Sequence, residues 1–300
     1  MRQVWPVLKA AVYNFVEDDA LSRGASLAFY TIFSIGPVLL IVVAIAGVAY
    51  GRDAAEGAIV AQLSGLMGEQ SAAVVQSLIE SASRARASVL ATFIGVVTLL
   101  VTATGVFTEM QSALNAIWKA PPPDMSTVTR LLRARAAGLG LVAAMGFLLL
   151  VSLAISAILA AAGKYLSGRF PDVHAMLILA NFLLSFALIS AMFAGIYKIL
   201  PDKRIAWRDV GIGAVATALL FTIGKSLIGL YLGSSAVASS YGAAGSLLIT
   251  LLWIYYSAQI FLLGAEFTKA YAERCGSRAG LNPRQPAEET ATAGAGSREP

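Results

Sequence analysis

Residues 241–271 read YGAAGSLLITLLWIYYSAQIFLLGAEFTKAY. From Ala243 to Ala265 the stretch carries no charged side chain. At about 1.5 Å per residue it can cross a hydrocarbon core of ~30 Å. Gly245, Ile249, Leu252, Tyr256, Gln259, Leu263 and Glu266 recur at steps of three and four, so they share one helix face. That face bears a phenol, an amide and finally a carboxylate. Lipid rejects such groups, so the stripe is expected to point into a helix bundle or a watery cavity. The rest of the chain is read as apolar helices packed around this one.

Composition agrees. Of 300 residues, 58% are hydrophobic and 13% charged, where a soluble domain carries about 25% charged residues. The repeated long apolar runs make one polytopic membrane domain the reading of choice over two soluble domains. A single cysteine, Cys275, excludes an intramolecular disulfide framework and a cysteine-based zinc site. The net charge of +5 would suit nucleic acid, but membrane proteins keep surplus Lys and Arg in cytoplasmic loops.

In chain order, residues 1–24 form a cytoplasmic amphipathic segment, with Trp5, Leu8, Val12 and Phe15 at helical spacing and expected to lie on the membrane surface. No signal-peptide pattern precedes the first span. The acidic pair Asp18-Asp19 with Ser22 reads as the cap and dipole partner of the next helix. A six-helix transmembrane domain occupies 25–275, with spans at about 25–50, 88–108, 139–162, 175–197, 210–232 and 243–265. Pro37 is expected to kink span one. Between spans one and two, scattered charges among Ile59, Leu63, Leu66, Val74 and Leu78 predict an extracytoplasmic hairpin of two short amphipathic helices, broken around 65–68. Residues 276–300, rich in Gly, Ala, Pro and Glu, read as a disordered cytoplasmic tail. The fold class is all-α membrane protein.

Lys and Arg gather before span one, in the second and fourth loops and in the tail, and are sparse in the other loops. Both termini are therefore expected to be cytoplasmic. Tyr50, Trp118, Tyr165, Tyr197, Trp207, Tyr231, Tyr241 and Tyr271 fall near span ends, as an interfacial aromatic belt requires. Trp253 alone among the tryptophans sits mid-span.

Lys225 is the one Lys or Arg well inside a predicted span. It lies on a face of small residues, Gly211, Ala214, Ala218, Thr222 and Gly229, in the outer third of the membrane. Snorkelling to the outer headgroups competes there with a substrate or ion site. Arg23, Glu109 and Glu266 fall at one cytoplasmic depth. They are either three solvated end-residues or an inner gate in which Arg23 pairs with one of the carboxylates. His174, the sole histidine, reads as a solvated loop residue. No nucleotide-binding, zinc-protease or serine-hydrolase motif stands in a credible context.

The segments DDALSRGASLAFYTIFSIGPVLL, ALNAIWKAP, LPDKRIAWRDVGIGAVATALLF and YGAAGSLLITLLWIYYSAQIFLLGAEFTKAY resemble the YihY/BrkB family of bacterial inner-membrane proteins. The similarity covers about residues 4–274. Its recurring features match at Asp19, Ala25, Tyr30, Pro37, Leu114-Asn115, Trp118, Pro201, Tyr241-Gly242, Gly245 and Gly264-Ala265-Glu266. The resemblance implies six inner-membrane helices with both ends inside. Members once carried the label ribonuclease BN, and some are called serum-resistance or virulence factors. RNA hydrolysis needs a metal cluster or an acid–base pair beside a basic groove, and this sequence supplies neither.

The expected function is thus a transporter, or a translocase of lipid or another anionic substrate, contributing to envelope integrity. A non-transporting membrane scaffold or envelope assembly factor, making its contacts through the outer hairpin, is the alternative. Neither is an enzyme. The candidate pathway or gate residues are Arg23, Tyr30, Pro37, Glu109, Asn115, Lys225, Tyr256, Gln259 and Glu266, with no metal ligand and no cofactor. Expected partners are membrane lipids, an anionic small molecule or lipid as substrate, and a further copy of the chain, without nucleic acid.

Overall fold

A computed structural model describes residues 4–67, 72–77, 80, 105–121, 129, 136, 138, 140, 143, 144, 146–148, 151, 155, 172–234 and 243–279. Helix α1 is Val4–Glu17, α2 Ala20–Tyr50 and α3 Arg52–Met67. Helix α4 occupies 105–117. Helices α5, α6 and α7 are Asp172–Ile199, Trp207–Ser234 and Ala243–Arg274. The long apolar helix α7 is the hub: it packs against α6, α2 and α1, while α5 lies on α6 and α3 on α2.

The expected spans one, four, five and six correspond to α2, α5, α6 and α7. Span two is described only where it enters α4, and span three only at scattered residues. Three helical segments, Leu179–Ile199, Trp207–Ile228 and Leu247–Arg274, are long and apolar enough to cross a membrane. Helix α2 starts at Ala20 rather than residue 25 and runs unbroken through Pro37, whose side chain lies outside the description. Helix α7 continues to Arg274, nine residues past the predicted end of span six. The tail beyond 279 and the outer hairpin beyond its first helix fall mostly outside the described residues.

Two physical features explain why α7 sits at the centre. Its C-terminal half buries Ala258, Ile260, Phe261, Leu262, Ala265, Ala270 and Ala272, the pattern of a core helix rather than a surface one. Its crossing with α6 is close because small residues meet hydroxyls. A Cβ on Gly213 would collide with Thr268, one on Gly264 with Thr217 and Tyr197, and one on Gly224 with Ile260 and Tyr256. Without a hydrophobic driving force between helices in lipid, such contact is what holds them together. Around it, Phe193, Tyr197, Phe221, Phe261 and Trp253 form a connected aromatic cluster with ring centroids 5.4–6.5 Å apart. This cluster accounts for the mid-span Trp253. Outward, α6 presents Val215, Leu219, Ile223 and Leu227 in a row at four-residue spacing, all exposed, as a lipid-facing surface does. The protein is embedded in a membrane through these apolar helices.

Contacts between elements add to some sequence-based expectations and correct others. Helix α1 docks on α7 through Val7 and Ala11, which meet Phe267, Ala270, Tyr271 and Cys275. Trp5, Leu8 and Val12 remain exposed, and Phe15 turns partly into the main core. Tyr197 and Trp118 are not belt residues, since both are fully buried, whereas Trp207 is exposed as a belt requires. The Tyr197 hydroxyl donates to the Phe261 carbonyl (2.7 Å) and lies 3.1 Å from Thr217 Oγ1. His174 belongs to the first turn of α5 rather than to a loop. Gly51, at φ 81°, makes the sharp turn between α2 and α3 that a side chain would strain.

Candidate functional site

The polar face of α7 meets the start of α2 and the α1–α2 link. Gln259 Nε2 donates to the Leu21 carbonyl at 3.4 Å. The helices approach closely there because residue 24 is glycine: a Cβ would overlap the Gln259 amide. Two turns further on, Glu266 is wholly buried. Gln259 Oε1 and both Glu266 carboxylate oxygens are buried without a hydrogen-bond partner among the described residues. Such groups are costly in a packed interior.

Beside Glu266 stands an ion cluster. Asp18, in the link between α1 and α2, receives Lys119 Nζ on Oδ1 at 2.7 Å and Lys269 Nζ on Oδ2 at 3.4 Å. Lys269 Nζ also lies 3.9 Å from Glu266 Oε2. Lys269 is itself buried, whereas Lys119 is mostly exposed. Burial pushes the Asp18 carboxyl up, but the Lys119 hydrogen bond and the Lys269 charge outweigh it and hold the group below its ordinary value. The Asp18 hydrogen bond raises Lys119 in turn, against a smaller effect of burial. Asp19 and Lys119 are the described non-glycine residues in the left-handed region, at φ 55° and 48°. Asp19 adjoins this ion pair and Lys119 is a member of it, and strained backbone of this kind persists only where its surroundings enforce it.

The acidic run therefore does something other than capping. Asp19 occupies the N-cap position of α2 but makes no side-chain capping bond. Arg23 is also corrected: its Nε donates to the Asp18 carbonyl at 3.0 Å, not to Glu266 or Glu109. Asn115, at the end of α4, forms a reciprocal pair with Asp202: Asn115 Nδ2 donates to Asp202 Oδ2 (2.7 Å) and the Asp202 amide donates to Asn115 Oδ1 (2.8 Å). Gln111 Nε2 adds a 3.3 Å bond to the same carboxylate.

The remaining candidates are dispersed. Tyr30 is 42% exposed and packs its ring edge where a Cβ on Gly105 would stand. Tyr256 faces Gly224 across the α6–α7 crossing. Glu109 is partly buried on α4 and Lys225 partly buried on α6, and neither forms an ion pair with the Asp18 cluster. So the structure unites Glu266 and, through backbone contacts, Gln259 and Arg23 with the α1–α2 link. Lys225, Tyr256, Tyr30, Asn115 and Glu109 form no side-chain hydrogen bond or ion pair with that group among the described residues. Asp18, Lys119, Lys269 and Asp202 were missed as polar partners. The one signal in the sequence was charge at the cytoplasmic depth already assigned to Glu266.

An ionic latch of this kind joins three separate parts of the chain at the end of a seam that retains unsatisfied polar groups. It can hold the seam shut, and its release would expose those groups to water or to a polar solute.

Comparison with known proteins places this architecture. The chain is 29% identical to a UPF0761 membrane protein of Rhodospirillum centenum over 272 residues, covering 89% of this chain and 57% of that protein. A UPF0761 membrane protein of Methylibium petroleiphilum is 29% identical over 276 residues, covering 90% and 64%. One from Psychrobacter sp. is 26% identical over 268 residues, covering 87% and 47%. The chain thus spans about half to two thirds of the length of these curated relatives. No solved structure matches. The model of the family described as Virulence factor BrkB matches residues 11–289, and the chain belongs to that family.

Proposed function

We propose that the protein is an inner-membrane transporter, moving lipid or another anionic substrate, with six spans and both termini in the cytoplasm. The observation that carries this reading is the α2–α7 seam. Gln259 Oε1 and the Glu266 carboxylate are buried there without hydrogen-bond partners among the described residues, on a helix apolar enough to cross the membrane, and Glu266 has only the 3.9 Å ion pair with Lys269 to offset its charge. Ionisable groups at membrane depth are costly, and where they are kept they mark substrate or ion paths. The Asp18–Lys119–Lys269 latch is the inner gate of that path, in its closed arrangement. The α6–α7 crossing is not part of the path, because Thr217, Thr268 and the aromatic cluster fill it. This reading involves no catalytic centre and no cofactor.

A scaffold is favoured by one observation: the same filled α5–α6–α7 core is rigid, as an assembly platform would be. The two readings separate in vesicles of phosphatidylethanolamine and phosphatidylglycerol containing the purified full chain. Transport predicts that fluorescent phosphatidylglycerol crosses between leaflets, or trapped anions escape, faster than in empty vesicles. It further predicts that Asp18→Asn changes the rate. No movement of either probe, with wild type and variant alike, sinks the transport reading.

A further inference from the structure

A second corner of the molecule adjoins the Lys119 side of the latch, where the end of α4, the α5–α6 loop and the turn after α7 converge on Trp118. Lys203 Nζ donates to the Trp118 carbonyl at 2.7 Å. The Arg278 guanidinium stands 5.6 Å above the indole ring, and its Nη2 donates to the Arg204 carbonyl at 2.8 Å. Both cations are thus fixed by backbone carbonyls and by a ring face. Neither has a carboxylate within ion-pair distance among the described residues.

The supports of this corner are rigid. The reciprocal Asn115–Asp202 pair ties the α5–α6 loop to α4. Ser277 Oγ donates to Asp209 Oδ2 at 2.6 Å and fixes the turn after α7 to the start of α6. Two independent signs show that the corner is short of negative charge and of acceptors. Burial and the like charge of Arg278, with a further contribution from Lys269, hold the Lys203 ammonium below its ordinary value despite the opposing Glu273. The Trp118 indole N–H is buried with no acceptor among the described residues.

We propose that this corner, Lys203 and Arg278 about Trp118, binds a phosphate-class anion, either free or as the headgroup of an anionic lipid. Arg278 keeps donors beyond the one spent on Arg204, in the fork geometry that suits phosphate oxygens, and Lys203 adds a point charge. An oxyanion there also brings acceptor atoms to the end of α4, where the indole N–H lacks one. Basic residues at a cytoplasmic interface need no ligand to explain them. These two differ in being pinned side by side without a neutralising partner. The site adjoins the latch, because Trp118 directly precedes Lys119 and Lys269 acts on Lys203, but it uses neither Gln259 nor Glu266 and does not rest on the transport reading.

The test uses the full chain in nanodiscs, read by thermal unfolding. In phosphatidylcholine discs, sodium phosphate is titrated against sodium chloride at matched ionic strength. In a second arm, phosphatidylglycerol replaces part of the phosphatidylcholine. A rise in the unfolding midpoint in the phosphate arm identifies a free anion, and a rise confined to the phosphatidylglycerol arm identifies a headgroup. In whichever arm responds, Arg278→Gln and Lys203→Gln are each expected to weaken apparent affinity by about tenfold. Arg278 lies in a turn beyond the last helix, so its variant keeps the fold, and its ligand-free midpoint serves as the control. No rise in either arm, or variants that respond like wild type, overturns the proposal.

Discussion

Asp18 and Lys119 stand 101 positions apart in the chain, yet Lys119 Nζ meets Asp18 Oδ1 at 2.7 Å, and each side of the pair carries a residue in the left-handed backbone region. The link between α1 and α2 is thereby tied to the end of α4. The same carboxylate reaches Lys269 on α7. One side chain therefore sets the mutual position of three parts of the bundle.

The two ends of this arrangement differ in burial, and so do the expected costs of deletion. Lys119 is 62% exposed, so Lys119→Ala removes a screened surface pair and costs about 1 kcal/mol or less. Asp18→Ala leaves Lys269, 7% exposed, with only the longer 3.9 Å approach of Glu266 and costs about 3 kcal/mol. Denaturant unfolding of both variants checks the ratio. Equal costs would mean that Lys269 finds another partner once Asp18 is gone.

The same cluster sets a pH dependence. Asp18 has a folded value below its ordinary 3.8, so its pairing stabilises the fold above that value and the contribution fades as pH falls through the lowered one. Lys119 has a folded value above its ordinary 10.5, so its contribution is complete below 10.5 and is lost as pH rises through the raised one. The unfolding midpoint of wild type is expected to drop at the acid end, and Asp18→Asn to flatten that drop. An unchanged acid limb in Asp18→Asn would assign it to other carboxylates.

Two glycines on α6, separated by Ile212, make a sharper test of packing. A Cβ on Gly213 strikes the Thr268 side chain, whereas one on Gly211 meets nothing within 4 Å. Gly213→Ala is expected to destabilise by about 1–3 kcal/mol through overpacking. Gly211→Ala should be neutral or stabilising by up to about 1 kcal/mol, because the helix loses a flexible residue. Adding Thr268→Gly to Gly213→Ala should recover part of the loss. If both alanines behave alike, the α6–α7 crossing is looser than its geometry.

How much of this could be read in advance depended on the range of the interaction. Helix α7 announced itself as the hub because its charge-free length and polar stripe are local properties, and Gln259 and Glu266 fall on its buried face. Asp18 did not, because an acidic residue just before Ser22 looks the same whether it caps a helix or reaches a distant lysine. Tyr197 near a span end resembles an interfacial tyrosine until Thr217 and the Phe261 carbonyl are brought to it. On α1 the large apolar residues drew the eye, but the face that docks is Val7 and Ala11, where small side chains let two helices approach. Local pattern identified the elements; contacts between distant segments decided which groups were partners.

Arg23 and Glu266 offer the last test, since their equal depth suggested a pair that the structure does not form. Arg23 Nε is held by the Asp18 carbonyl, and Glu266 has the 3.9 Å approach of Lys269 and the neighbouring Asp18 carboxyl. A double-mutant cycle of Arg23→Ala with Glu266→Ala is therefore expected to give a coupling within about 0.5 kcal/mol of zero. The cycle of Asp18→Ala with Lys269→Ala, whose charges lie 3.4 Å apart in a buried setting, should give about 1–3 kcal/mol. A coupling above about 1 kcal/mol between Arg23 and Glu266 would mean that the two meet in another arrangement of the seam. Since Arg23 must first leave the Asp18 carbonyl, that arrangement would be the one in which the link between α1 and α2 has let go of α7.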